Sequence, residues 1–245
     1  MRAYELLKET FCRKLYIWMV HLSWPVFYGL VYVLFRPEGD RFGQLVWTCS
    51  GCFLPLLLSA GIIGDDVASG RIRVLMAKPI WLGELYVYRL VGLSLQGAVH
   101  LVLVFVLLLV LPGLIDGRGV ENLGAWLLAA WLLFNVWAAL STSVSVLVVR
   151  GYNSLFLFIS LVFVFLVVDL LRLPILKFHH AWAKTILDVL KYTCPPFVLL
   201  SQFVTGEDGA LSTVGVIAHS FLLTLIYGGI GLFLLHRRQF PSVGR

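Results

Sequence analysis

The chain has 245 residues, 60% of them hydrophobic and 13% charged, with a formal net charge of +6 and a mean hydropathy of +0.93. A water-soluble domain of this length needs a polar surface that so few charged residues cannot supply, which excludes a soluble globular protein and predicts an all-α integral membrane protein of one domain. The positive excess is the kind that nucleic-acid binders carry, but its distribution along the chain accounts for it as membrane topology, so no nucleic-acid partner is expected.

Residues 1–14 precede the first apolar run. Leu7, Phe11 and Leu15 recur at helical spacing, while Glu5, Lys8, Glu9 and Arg13 are charged. This pattern predicts a helix lying in the membrane interface. The apolar stretch 15–35 then has the length of a bilayer span and exceeds a signal-peptide core, so a cleaved leader is not expected. A short turn over 36–43 leads to a second span at 44–64. Within it, Cys49 and Cys52 form a C-x-x-C spacing, for which packing of small residues is the preferred reading over redox or metal chemistry.

Between the second and third spans the chain makes a charged detour, Gly64 to Ile80, reading GDDVASGRIRVLMAKPI. Asp65 and Asp66 suit a helix N-terminus, and Pro79 ends helical backbone before it. A short cytoplasmic helix is expected over 66–78. Leu75 and Met76 would lie on its apolar face, and Arg71, Arg73 and Lys78 would lie beside them. Trp81, Tyr86 and Tyr88 then mark an interface ahead of the third span, 90–115.

His100 is the deepest ionisable residue of that span, and Asn135 is polar within the fourth, 123–149. Asp169 lies near the end of a short fifth span, 154–171. Intramembrane polar groups of this kind face a bundle interior or a cavity, so His100, Asn135 and Asp169 are candidate pathway residues. The connection 173–213 is long yet apolar. It predicts two short helices, near 175–192 and 196–205, separated by Cys194-Pro195-Pro196. They would either dip into the outer leaflet or lie across the top of the bundle. A sixth span covers 214–235.

With both termini placed inside, twelve of the nineteen lysines and arginines fall on the inner side and seven on the outer. The positive-inside rule therefore predicts cytoplasmic termini and a cytoplasmic detour in a cell membrane. None of the six lysines follows a glycine, so the chain lacks a phosphate-binding Gly-Lys-Ser/Thr loop and any ATP-driven work needs another subunit. No metal site is expected: the adjacent His179 and His180 point about 100° apart on a helix.

The order of an acidic pair at Asp65 and Asp66, then Gly70, Leu75, Pro79, Glu84 and Arg89, resembles the ABC-2 type permease family. So do Lys8-Glu9 with Arg13, and Pro196-Phe197, Phe203 and Gly206 ahead of the last span. The chain departs from the family's pattern at Ser69 and Arg71 around the glycine, and at Ile80-Trp81-Leu82 after the proline. The resemblance implies the membrane subunit of an ATP-driven exporter, not itself an enzyme. It would have six spans and would pair with a second copy or a related permease. A separate ATPase chain, which would hold the ATP and Mg, would dock on the 66–78 helix and the N-terminal helix. Pro195, Pro196, Phe197 and Phe203 would form an outer gate. A membrane-embedded enzyme acting on lipid or isoprenoid, built on His100 and Asp169, and an ATPase-coupled mechanotransmitter that moves no substrate are the competing readings.

Overall fold

A computed structural model of the chain describes residues 2–12, 15–37, 39–59, 61–72, 81–116, 122–147, 155–156, 158–160, 162, 185, 189–206 and 211–237. The described residues are mostly helical, and no strand occurs among them. Four helical stretches are long and apolar enough to cross a bilayer: Arg41–Ala68, Leu82–Ile115, Leu123–Leu147 and Thr213–Arg237. Such lengths satisfy every backbone group within the segment, as the hydrocarbon interior requires. The chain is therefore helical and membrane-protein-like. Met19–Phe35 is a shorter apolar helical stretch, and most of the expected span 154–171 lies outside the described residues.

The N-terminal helix α1 runs Arg2–Cys12, and α2 runs Leu15–Phe35 with Pro25 inside it. The chain re-enters helix at once as α3, Gly39–Thr48, so the expected turn 36–43 is shorter than its sequence suggests. Five residues, Cys49–Phe53, then form a π-helical turn before α4, Leu54–Ser59. The chain bends at Gly61, whose φ of 72° is costly for a residue with a side chain, and continues as α5, Gly64–Ala68. The third long helix, α6, runs Leu82–Asp116. The fourth, α7, runs Leu123–Leu147. The short α8, Phe197–Thr205, and the final α9, Thr213–Arg237, complete the described elements.

Helix α7 occupies the interior. Its buried residues recur on nearly all sides, from Trp126 and Leu133 to Trp137 and Val146. Trp47, Leu101, Trp126, Leu133, Trp137, Phe197 and Leu200 form one core cluster. Leu54, Ile63, Leu85, Tyr86, Phe134 and Leu235 form a second, nearer α5. Tyr28, Phe42, Val46 and Val104 form a third between α2, α3 and α6. By contrast α6 and α9 turn broad apolar faces outward, with Val102, Leu109, Phe221 and Phe233 exposed. Such faces suit a lipid surround.

Two expectations about local structure change. The detour is not a single helix over 66–78: α5 already contains Asp65 and Asp66 and closes at Ala68, after which Gly70 adopts a φ of 70°. The Ser69 N–H donates to the Asp65 carbonyl at 3.0 Å and the Gly70 N–H to the Val67 carbonyl at 3.1 Å, and these bonds terminate the turn. Helix resumes at Arg71 and Ile72. The third span is also longer than 90–115. Its 35 residues extend about 52 Å, against a hydrocarbon thickness of about 30 Å, so two turns overhang the span at the α1 end.

Of the apolar connection, the structure describes residue 185, residues 189–206 and residues 211–213. Tyr227 lies fourteen residues into α9, about 21 Å from its start. Its hydroxyl donates to the Thr193 carbonyl at 2.6 Å. The Cys194–Pro196 turn between two helical pieces is thereby tied to Tyr227 of α9, with Pro195 and Pro196 buried in protein.

Candidate functional site

The overhang of α6 carries Arg89, which is fully buried. A buried guanidinium needs partners for its fork of donors, and here they come from two other elements. Nη1 donates to Thr10 Oγ1 at 2.8 Å. Nη2 donates to Glu9 Oε1 at 3.0 Å and to Asp66 Oδ2 at 3.1 Å. Asp66 is itself fully buried, while Glu9 is part-exposed and also accepts from Arg71 Nη2 at 2.7 Å. One arginine therefore ties α1, α5 and α6 together, with Arg71 as an outer, half-exposed member.

Backbone contacts complete the junction. Gln96, two turns further along α6, donates from Nε2 to the carbonyls of Thr10 at 3.1 Å and Phe11 at 3.3 Å. These belong to the last turn of α1, whose carbonyls have no acceptor role left inside the helix. Between Arg89 and Gln96 lies Gly92. A Cβ there would sit 2.7 Å from Thr10 Cγ2, so the glycine allows α1 to lie directly on α6. The N-terminal helix is thus docked through a polar face centred on Glu9 and Thr10, while Lys8 points outward and is exposed.

The other sequence-predicted residues separate into groups. Asp65 is half-buried beside Asp66, and Gly70 holds the left-handed turn. Arg13, Arg73, Leu75, Met76, Lys78, Pro79 and Asp169 lie outside the described residues. Phe197 stacks on Trp47 with ring centroids 4.4 Å apart, and Phe203 packs half-buried against the same core cluster. Asn135 donates from Nδ2 to the carbonyl of Trp131 at 2.7 Å, a bond within its own helix.

His100 is fully buried in the bundle. Its Nε2 lies 3.3 Å from Ser50 Oγ, which in turn lies 2.8 Å from Tyr28 Oη. Ser50 sits in the π turn. The C-x-x-C pair around it divides: Cys52 belongs to the Trp47–Trp137 cluster and Cys49 packs toward Tyr28 and Phe42. Both thiols are free.

Sequence reasoning named Glu9 from the N-terminal segment, and Asp66 and Arg89 from the detour and the resemblance that follows it, but did not join them. It missed Thr10, and it singled out Gln96 only as a polar residue of the third span. A buried glutamine on an otherwise apolar helix face is a signal for Gln96; the threonine offers none. Comparison with known proteins finds no matching family model and no matching curated protein.

Proposed function

We propose that this chain is the permease subunit of an ATP-driven exporter of the ABC-2 type, with six spans, both termini in the cytoplasm, and a translocation pathway formed with a second copy or a related permease. The ATPase, with its ATP and Mg, is a separate chain that docks on α1 and the segment 66–78. The observation that carries this reading is the Arg89 junction. A partner pressing on α1 or on the chain after Gly70 acts on elements bonded to one buried side chain of a helix long enough to span the membrane. Such an arrangement transmits displacement because packed, hydrogen-bonded elements move as units. The 12-to-7 charge asymmetry and the absence of a Gly-Lys pair supply the orientation and the need for a partner.

The test is purification with any ATP-binding chain found encoded beside it, followed by ATPase assay in vesicles. The expected result is a stable complex whose hydrolysis responds to the permease. Arg89→Met, in protein that still assembles, should leave hydrolysis running but sever its response to transport. Unchanged coupling in that variant, or failure of any ATPase chain to associate, would sink the reading. Coupled hydrolysis with no solute flux would instead make the chain a mechanotransmitter.

A further inference from the structure

Helix α7 is enclosed on nearly every side, yet the first half of it leaves a narrow strip open. Gly124 and Trp131 are exposed there, and Leu128 and Asn135 are half-buried. Their spacing of four, three and four residues is the 3.5-residue repeat by which two helices meet along a seam. The strip closes at Ala138 and Thr142, the next two positions of the repeat, which are buried within the chain. At its open end a Cβ on Gly124 would meet nothing within 4 Å, so another helix can approach closely.

Asn135 makes this strip unsuited to lipid. It is the thirteenth of 25 residues, about 18 Å from the helix start, which puts it near mid-depth of a bilayer. A carboxamide has two N–H donors and a carbonyl acceptor. Its only hydrogen bond among the described residues is from Nδ2 to the Trp131 carbonyl at 2.7 Å. Hydroxyls on the same helix satisfy themselves on their own backbone, as Thr142 does with Ala138 and Ser145 with Thr142. The Asn135 amide cannot, and one N–H and Oδ1 remain. Acyl chains offer them nothing, and an unmet amide in hydrocarbon is costly. The occupant of the strip must therefore supply both a donor and an acceptor at this depth.

We propose that α7 packs along this strip on α7 of a second, identical copy, with the two Asn135 amides bonded to each other across a two-fold axis. A two-fold axis sets a residue that lies on it opposite itself. An amide is its own complement, so each N–H donates to the other Oδ1 and both are satisfied.

A single asparagine in an apolar seam also fixes register and oligomeric state, because a slip along the helices leaves both amides unpaired. The inference rests on the proposed pairing of two permeases and narrows it. A related chain would need an amide at the matching position, whereas a second copy carries one by construction. The broad faces of α6 and α9 are apolar throughout their exposed residues Val102, Leu109, Phe221 and Phe233, and lipid suffices to cover those residues.

The experiment uses the full chain alone in lipid vesicles, so its outcome is separate from whether an ATPase chain docks. With the native cysteines changed to alanine, an Asn135→Cys variant should form a disulfide-linked dimer on oxidation. Val102→Cys on α6 and Phe221→Cys on α9, at more exposed positions, should not. In fluorescence-transfer dilution, Asn135→Leu should raise the dimer dissociation constant about tenfold. Asn135→Gln keeps a carboxamide and should recover part of that loss, which a merely steric role would not allow. A monomer at every dilution would overturn the proposal, as would a dimer unweakened by Asn135→Leu. Crosslinking at 135 no greater than at 102 and 221 would remove this seam while leaving the permease reading standing. Labelling of the Asn135→Cys variant by a water-soluble maleimide in place of crosslinking would overturn it too, and would assign the strip to an aqueous pathway.

Discussion

Arg89 spends two of its nitrogens on three acceptors, two of them carboxylates, from a fully buried position. The net contribution of such a group is small against an apolar replacement of the whole set, because desolvation of the charges offsets their attraction. Removing the arginine alone is different, since it takes away the guanidinium that the buried Asp66 and Glu9 share. Arg89→Met is therefore expected to cost about 3–5 kcal/mol, read as a lowered unfolding midpoint in detergent. Arg89→Lys should not restore it, because one ammonium cannot reproduce the planar fork that reaches Thr10, Glu9 and Asp66 at once. Arg71 is the contrast. It is half-exposed, its partner Glu9 is already held by Arg89, and Arg71→Ala should change stability by less than about 1 kcal/mol in the same measurement. The hydropathy pattern could not distinguish these two arginines. Both sit in a charged stretch beside a span, and only the length of α6 decides that one is pulled under α1 while the other reaches the surface.

Helices here are set against one another by glycines that tolerate no side chain. At Gly92 the partner is Thr10 of α1, and at Gly231 of α9 it is the Tyr86 hydroxyl together with Ser143. Those last two groups are themselves paired, 3.0 Å apart, and Ser143 also bonds the Tyr227 carbonyl. Gly231→Ala should lower stability by about 1–3 kcal/mol through overpacking. Adding Tyr86→Phe should relieve only part of it, because the Ser143 backbone also meets the new methyl. Gly92→Leu should lift α1 off α6 without unfolding the long helices. Limited proteolysis would then cut within residues 2–14 sooner than in the unaltered chain, while the helical circular-dichroism signal persists. At this scale much was legible in the sequence. The predicted spans 123–149 and 214–235 correspond closely to Leu123–Leu147 and Thr213–Arg237 because continuous apolar runs leave helix as the only way to satisfy the backbone. The break at Gly70 and the π turn at Cys49–Phe53 were not legible. Each depends on contacts with other elements, Asp66 with Arg89 and Ser50 with Tyr28 and His100, that no local pattern encodes.

For the molecule as a whole, the proposed orientation follows from lysine and arginine counts, and the structure adds reporters that can test it. Cys12 closes α1 and is exposed, whereas Cys194 is half-buried in the Pro-containing turn of the segment expected on the outer side. Two variants, each retaining one of these thiols with the other cysteines changed to alanine, would be labelled in sealed right-side-out vesicles with a membrane-impermeant maleimide. With cytoplasmic termini, Cys12 should label only after the membrane is permeabilised, while Cys194 should label before it. The reverse order would invert the topology. Labelling of Cys194 should also depend on pH. The thiolate is the reacting form, and burial pushes the Cys194 thiol up from its ordinary value. At neutral pH its thiolate fraction is accordingly lower than that of a free cysteine. Labelling should therefore be slow there and keep accelerating as the pH is raised beyond the ordinary thiol range. Fast labelling of Cys194 at neutral pH would mean that the turn between α8 and the preceding helical residues opens to solvent instead of staying packed beneath Tyr227.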